Sequence, residues 1–133
     1  MSTARAVNPP ELPRAIAEKF GYSFAVRSGD TLRISGMVAM DGEGAAVGGD
    51  DVTAQTEKVF DNLAAVLAAA GGSLDDVVET VTYTTDRSHL AGIGAVRTRR
   101  LTGPLPPTST LIVVAGLARP DFLVEISAVA VLL

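Results

Sequence analysis

Residues 123–133 read LVEISAVAVLL, an alternation that predicts a long β-strand with two unlike faces. One face is wholly apolar and suits packing beneath helices: Val124, Ile126, Ala128, Ala130 and Leu132. The other face consists of Leu123, Glu125, Ser127, Val129, Val131 and Leu133. This second face is also rich in valine and leucine, so Glu125 is a lone carboxylate in an otherwise apolar strand.

Glu125 has a structural and a functional interpretation. A carboxylate removed from water costs free energy unless it finds hydrogen-bond partners. In the structural interpretation, a backbone amide or an arginine of a neighbouring chain is that partner. In the functional one, the carboxylate lies in a cleft between subunits, where it orients a water or acts as a general base.

The preceding segments predict a mixed α+β domain. A hairpin spans residues 22–36, and apolar residues at helical spacing over 52–70 predict a helix capped by Asp50 or Asp51 and ended by Gly71-Gly72. Strands are predicted over 77–85, 110–114 and 123–133, with a short one near 46–47. Ser88 is predicted to cap a second helix that ends near Leu101. The order is β-β-α-β-α-β-β.

Two helices can cover only one face of such a sheet. The economical cover for the other face is another copy of the chain, so the sequence predicts a homo-oligomer. A length of 133 residues is typical of one domain, and we expect a single domain over 1–133 with an N-terminal arm over 1–19.

Composition excludes several classes of function. With no cysteine, the chain has no disulfides, thiol nucleophiles or iron–sulfur ligands. A net charge of −4, 5% aromatic residues and no tryptophan argue against nucleic-acid binding. No apolar run approaches the ~20 residues that span a bilayer, so we expect no membrane partner and a cytoplasmic location.

Other candidate residues have ordinary explanations. His89 is the only histidine, and no carboxylate cluster accompanies it, so we predict no metal site. The spacing of Gly42, Gly44 and Gly48 suits a loop better than a phosphate cradle. Arg97, Arg99 and Arg100 either lie solvated at a helix end or bind an anionic ligand across a subunit boundary.

Several short motifs, read in order, carry a family resemblance. They are Asn8-Pro9-Pro10, Gly21-Tyr22-Ser23, Ser35-Gly36, Gly48–Gln55, Asn62-Leu63, Leu74–Val78, Val124-Glu125-Ile126 and Ala128–Val131. Together they cover residues 8–132, and through them the chain resembles the RidA family, also called the YjgF or L-PSP endoribonuclease family.

The resemblance implies a chorismate-mutase-like homotrimer, in which three sheets form a central barrel with ligand clefts between subunits. It also implies hydrolysis of reactive enamines and imines to a carbonyl compound and ammonia, without metal or cofactor. Tyr22 matches the family's cleft tyrosine, Glu125 its water-orienting glutamate, and Ser35-Gly36 the strand that borders the cleft. Thr108, Ser109 and Arg119 complete the expected substrate-binding set.

The chain departs from the family pattern at several positions. Deaminating members carry a carboxylate-binding arginine where this chain has Thr108, and a threonine hydroxyl cannot replace the bidentate, charged contact. Met37 replaces a frequent glutamine, and Gly94 a frequent asparagine. We therefore expect this chain to share the family's fold more fully than its activity.

Three functions remain open. The first is a small-molecule hydrolase acting on imines, enamines or a related metabolite that needs no carboxylate. The second is a non-catalytic trimer that binds a metabolite or a protein partner. The third is deamination of 2-imino acids, with Arg119 or an arginine of the 97–100 group replacing the missing cation. Ribonuclease activity ranks last, because the chain is acidic and lacks a histidine pair.

Overall fold

A computed structural model describes residues 3–133, in which a mixed sheet of six strands packs against helices on one face. The strands are β1 (Arg5–Val7), β2 (Ala25–Ser28), β3 (Thr31–Met37), β4 (Val77–Thr84), β5 (Thr108–Val113) and β6 (Val124–Val131). Their order across the sheet is β1-β2-β3-β6-β4-β5. Only the pairing of β4 with β5 is parallel, so the mixed α+β prediction is confirmed.

Three helices accompany the sheet: α1 (Arg14–Phe20), α2 (Val52–Ala69) and α3 (Leu90–Arg100). The bounds of α2 follow the sequence signals. The Asp51 side chain accepts hydrogen bonds from the amides of Thr53 and Ala54, and Gly71 beyond the helix has a φ of 85°.

The structure differs from three local expectations. The segment 1–19, predicted as an arm, contributes strand β1 and most of α1, which adds a third helix to the predicted two. Asp86, rather than Ser88, caps the start of the second predicted helix, because its carboxylate accepts the Ser88 amide in a short 3₁₀ turn over Arg87–His89. The short strand expected near 46–47 is a single bridge between Met40 and Ala46.

The core lies between the sheet and helices α2 and α3. The predicted inner face of β6 is buried, and Phe60, Leu63 and Leu67 of α2 pack on the same core. Complete burial of each such side chain stabilises the fold by roughly 1.5–3 kcal/mol. Glu125, Ser127 and Val129 point to the other face and are half-buried.

Strand β5 forms one edge of the sheet, and no element within residues 3–133 covers it. All six of its residues are exposed, and its apolar residues Leu111, Ile112 and Val113 are 40–47% exposed. An uncovered apolar edge strand is unusual on a monomeric protein. This strand is therefore the surface most in need of a partner.

Candidate functional site

A cavity of about 690 Å³ lies where α1 and β3 meet the segment that leads into β6. Its wall is mainly apolar: Ile16, Phe20, Phe24, Met37, Val38, Met40, Ala118 and Phe122. Its polar groups are Lys19, Tyr22, Ser35, Arg119 and Glu125, beside Gly36. A cavity of this volume with a few convergent polar groups is typical of small-molecule sites.

An irregularity in β3 makes room for the Glu125 carboxylate. The register between β3 and β6 shifts between Ile34 and Met37, around Ser35-Gly36. A Cβ at Gly36 would lie 2.7 Å from Cδ and 2.8 Å from Cγ of Glu125, so only glycine leaves the side chain its place. Ser35 is fixed beside it, because its hydroxyl donates to the Ser23 carbonyl at 2.6 Å.

Glu125 has no hydrogen-bond or ion-pair partner among residues 3–133. Its side chain is half-buried in the cavity wall, and burial raises the pKa of its carboxyl above the ordinary value. Of the two partners that the structural interpretation offers, a backbone amide is therefore absent from residues 3–133, and an arginine of a neighbouring chain stays a prediction. The carboxylate instead faces space that a ligand or water can fill.

Tyr22 follows the end of α1, where Gly21 adopts a left-handed φ of 74° that turns the chain. Its ring packs edge-on against Phe24, with ring centroids 5.7 Å apart. Burial and the nearby Glu125 carboxylate raise the pKa of the Tyr22 hydroxyl, which stays protonated at neutral pH. Tyr22 can therefore donate a proton or a hydrogen bond into the cavity.

The cavity also contains two cations. The Arg119 guanidinium lies 4.4 Å from the centroid of the buried Phe122 ring, and its Nη2 donates to the Gly44 carbonyl at 2.8 Å. Lys19 at the rim lies 5.4 Å from the centroid of the Phe20 ring. Neither cation forms an ion pair with a carboxylate of residues 3–133.

The structure brings together five of the residues predicted for the site: Tyr22, Ser35, Gly36, Arg119 and Glu125. Thr108 and Ser109 lie elsewhere, on the edge strand β5. Through Glu79 of β4, Thr108 is level with Val129 of β6, and Val129 lies four residues along β6 from Glu125. Strand β5, which carries Thr108, is the second strand from β6 in the sheet. That places it roughly 13 Å along and 10 Å across the sheet, so it does not reach this cavity within one chain.

The remaining sequence candidates are engaged in the packing of the fold. Arg97 donates to the Thr80 hydroxyl at 2.8 Å, and burial lowers its pKa. Arg99 and Arg100 pair with Glu57, and Arg100 also pairs with Asp61, so these arginines join α3 to α2. His89 Nδ1 lies 2.8 Å from the Thr84 hydroxyl.

Sequence reasoning missed the apolar wall of the cavity. Lys19 lay at the end of the predicted arm, Phe20 directly after it, and Phe122 just before the last predicted strand. One sequence feature could have indicated this aromatic wall: three of the chain's four phenylalanines, at 20, 24 and 122, lie outside the predicted helices. Their convergence depends on tertiary structure, because β3 and β6 are neighbours although about ninety residues separate them.

Over residues 3–133, no group of three or more histidine or carboxylate side chains is placed to hold a metal ion. In the same residues, no helix has both the length and the apolar character that crossing a membrane requires.

These features define a small α+β domain with an acidic residue in an aromatic small-molecule cavity. The model of the family described as Endoribonuclease L-PSP matches residues 13–132. The RutC family protein YjgH of Escherichia coli is 36% identical over 108 residues, which is 80% of this chain and 81% of YjgH. Protein DfrA of Myxococcus xanthus is 34% identical over 127 residues, 96% of this chain and 95% of DfrA.

A solved structure gives the same result. RidA from the Antarctic bacterium Psychrobacter sp. has a TM-score of 0.85 at 34% identity, over 96% of this chain and 99% of that one. The chain belongs to the L-PSP endoribonuclease family, also called RidA or YjgF. Membership supports a small-molecule imine deaminase-like role at the level of the family.

Proposed function

We propose that this protein is a cofactor-independent hydrolase that converts imines and enamines to a carbonyl compound and ammonia. The observation that carries the proposal is the Glu125 carboxylate, half-buried and unpartnered among the described residues, in one cavity with the protonated Tyr22 hydroxyl. A general base and a proton donor on one small apolar cavity are what imine hydrolysis requires.

The reaction consumes one water and moves protons between two side chains. Water forms a C–O bond to the imine carbon while Glu125 accepts its proton and the Tyr22 hydroxyl protonates the nitrogen. The carboxyl of Glu125 then reprotonates Tyr22, which leaves a neutral carbinolamine. In the second half, Glu125 takes the carbinolamine hydroxyl proton as Tyr22 protonates the nitrogen. The C–N bond breaks, ammonia leaves with the electron pair, and the carbonyl forms, after which the Glu125 carboxyl returns its proton to Tyr22 and both side chains regain their starting states.

We also propose that the working form is a cytoplasmic homotrimer. The uncovered strand β5 and the half-buried outer face of β6 support assembly, because both need an apolar partner. Assembly is also the route by which Thr108 and Ser109 of one copy can border the cavity of another. The absence of cysteine is compatible with a reducing compartment.

Thr108 alters the substrate preference in this proposal. Its hydroxyl is neutral and brings no charge to a neighbouring cleft, and it donates to the Val78 carbonyl of its own chain at 3.3 Å. This observation also supports an alternative function, a non-catalytic trimer that binds a metabolite or a protein partner in the same clefts.

An assay of imine hydrolysis separates the two functions. Imines generated from amino acids and from uncharged amines are supplied to the protein, and release of the carbonyl product is compared with the spontaneous rate. An enzyme accelerates release from at least one class, and Glu125→Ala abolishes the acceleration while the assembly persists. Acceleration of neither class identifies the binding protein.

A further inference from the structure

A cation and an anion lie in one row on the outer face of the sheet, the face opposite the helices. Arg33 of β3 is the cross-strand partner of Val129 of β6, and Glu79 of β4 is the partner of Val129 from the other side. Because directly paired residues point to the same side of a sheet, the two charged side chains flank Val129 on the outer face. Thr108 of β5 continues the row beyond Glu79.

The surroundings of this row are apolar. Val26 of β2 pairs with Arg33 and is exposed, and so is Val131, two residues along β6 from Val129. Among the described strand residues of this face, the other charged group is Glu125, which lies in the cavity wall four residues from Val129 along β6. That separation is roughly 13 Å along the sheet. The row therefore carries two isolated, opposite charges on a surface whose valines favour burial.

Both charged side chains are exposed, and neither forms an ion pair with another of residues 3–133. The spacing between strands places the backbones of Arg33 and Glu79 roughly 10 Å apart, with Val129 between them. Within one chain, each charge is therefore solvated. An interface that covers Val129 removes water from both charges, and each then needs a partner, because an unpaired buried charge opposes association.

A second copy of this chain is the occupant whose charges match this row. A face that carries one cation and one anion side by side is self-complementary, because Arg33 of one copy can meet Glu79 of the next. Repeated around a closed ring, the contact gives every Arg33 and every Glu79 a partner. A partner protein with a single sign of charge on its surface would leave one of the two unpaired.

We propose that Arg33 of one copy pairs with Glu79 of the next in a head-to-tail ring, and that this pair selects another copy of this chain as the partner of the outer face. The inference rests on the proposed assembly and names the contact that gives it specificity and direction. Apolar area alone attracts any apolar surface, whereas two charges that become buried exclude every partner that lacks their complement.

Exchange of the two charges tests the pair. Arg33→Glu and Glu79→Arg each oppose like charges and are expected to weaken association at least about a hundredfold, measured by light scattering over a dilution series. The double variant restores opposite charges and is expected to recover the association of wild type. Lys58→Glu is the matched control, since it makes the same reversal on α2, across the sheet. A double variant that dissociates as readily as the single variants would overturn the inference.

A mixture of the two single variants tests the direction of the contact. In a ring of three, two copies of the same variant must meet, so one contact always opposes like charges. We therefore expect the mixture to associate more weakly than the double variant. In a two-fold dimer of the two variants, both contacts would join opposite charges. A mixture that associates as tightly as the double variant would overturn the head-to-tail ring.

The mass of the wild type separates this inference from the proposed assembly. A trimeric wild type whose mass neither reversal changes would overturn the pair and leave the assembly and the proposed hydrolase intact. A monomeric wild type would overturn the assembly and the pair together. Circular dichroism spectra first establish that each variant folds. Where a reversal does not fold, Arg33→Gln and Glu79→Gln replace it, each with an expected loss of association of at least about tenfold, and full association of both would contradict the pair.

Discussion

At the scale of single residues, the proposed catalysis depends on how Glu125 is placed. A carboxylate that is half-buried among apolar groups and has no partner among residues 3–133 does not stabilise the fold of a single chain, so its presence on β6 requires a ligand or a neighbouring copy. The alternation of residues 123–133 identified it from sequence. Tyr22, Ser35 and Gly36 could be assigned only by family resemblance, because nothing in their local pattern distinguishes them from ordinary hairpin residues.

Glu125→Gln should change how stability depends on pH. Burial raises the pKa of Glu125 in the folded chain above its ordinary value of 4.5, so the folded state holds the proton over a range where the unfolded state has lost it. The free energy of unfolding of the wild type, relative to Glu125→Gln, therefore falls as pH rises through that range. Urea denaturation of both proteins from pH 4 upward measures the difference. The pKa values of Asp41 and Asp86 are also lowered in the folded chain, but their contributions to the pH dependence cancel in the difference because both proteins contain them. A constant difference would show that the carboxyl is solvated.

Gly36→Ala should reduce catalysis without unfolding the protein. The added methyl group overlaps the Glu125 side chain and displaces it, and a shift of about 1 Å in a catalytic group costs on the order of 100-fold in rate. The measurement is kcat/KM for the best imine, alongside the circular dichroism spectrum. Gly116→Ala is the control, since a Cβ there meets no atom within 4 Å and its activity should be unchanged. Full activity in Gly36→Ala would remove Glu125 from the catalytic role.

Thr108→Arg should raise hydrolysis of small imines that carry a carboxylate. A bidentate arginine–carboxylate pair contributes about 1.5–3 kcal/mol, which corresponds to tenfold or more in kcat/KM. The alanine imine is the substrate to measure, and Thr110→Arg, on the same strand, is the control. No gain would mean that position 108 does not border a cleft.

At the scale of elements, helix α2 holds both sides of the cavity through two buried amides. Asn62 donates to the carbonyls of Val38 and Met40 at 3.0 Å, just beyond β3. Gln55 donates to the carbonyls of Gly49 and Asp121 and accepts the Leu123 amide, next to Phe122. Both amides are at most 2% exposed.

The helix itself was predicted from its apolar spacing and caps, but these two roles were not. Periodicity shows that Gln55 and Asn62 lie near the inner face, yet it does not show which distant carbonyls they meet. Helix α1 was missed for a related reason. It has only seven residues after Pro13, and tertiary contacts rather than a repeating pattern stabilise it.

Gln55→Leu should destabilise the fold by about 2–4 kcal/mol, because it leaves two carbonyls and one amide without their partner. Urea denaturation with an unchanged m-value measures the loss. Asp61→Asn on the same helix breaks only a surface ion pair and should cost less than about 1 kcal/mol. An equal loss of unfolding free energy in the two variants would contradict the conclusion that Gln55 holds one side of the cavity.

At the scale of the whole molecule, the distribution of exposed apolar surface supports assembly with other copies, and the family resemblance is what makes a trimer the expected form. Helices cover one face of the sheet, and β5 with the outer face of β6 remains for other copies. The sequence predicted this asymmetry from the number of helices. It could not show that Thr108 and the cavity lie far apart within one chain, because the strand order places β6 and β4 between β3 and β5.

Ile112→Glu should therefore dissociate the assembly. A carboxylate in an apolar interface without a partner opposes association, whereas on a solvated strand it has little effect. Light scattering after size-exclusion chromatography should give three times the chain mass of 13.7 kDa for wild type and one chain mass for the variant. Ala68→Glu, on the exposed side of α2, should remain trimeric. A monomeric wild type would contradict the assembly and the role of Thr108 together.

The central claim is that Glu125 catalyses imine hydrolysis in this cavity. Its most direct test is the rate of carbonyl formation from the phenylalanine imine by wild type and by Glu125→Gln, with both proteins first shown to have the same oligomeric mass. We predict acceleration well above the spontaneous rate for wild type and a loss of on the order of 100-fold or more for the variant, the contribution of a positioned general base. Equal acceleration by the two proteins would contradict the claim.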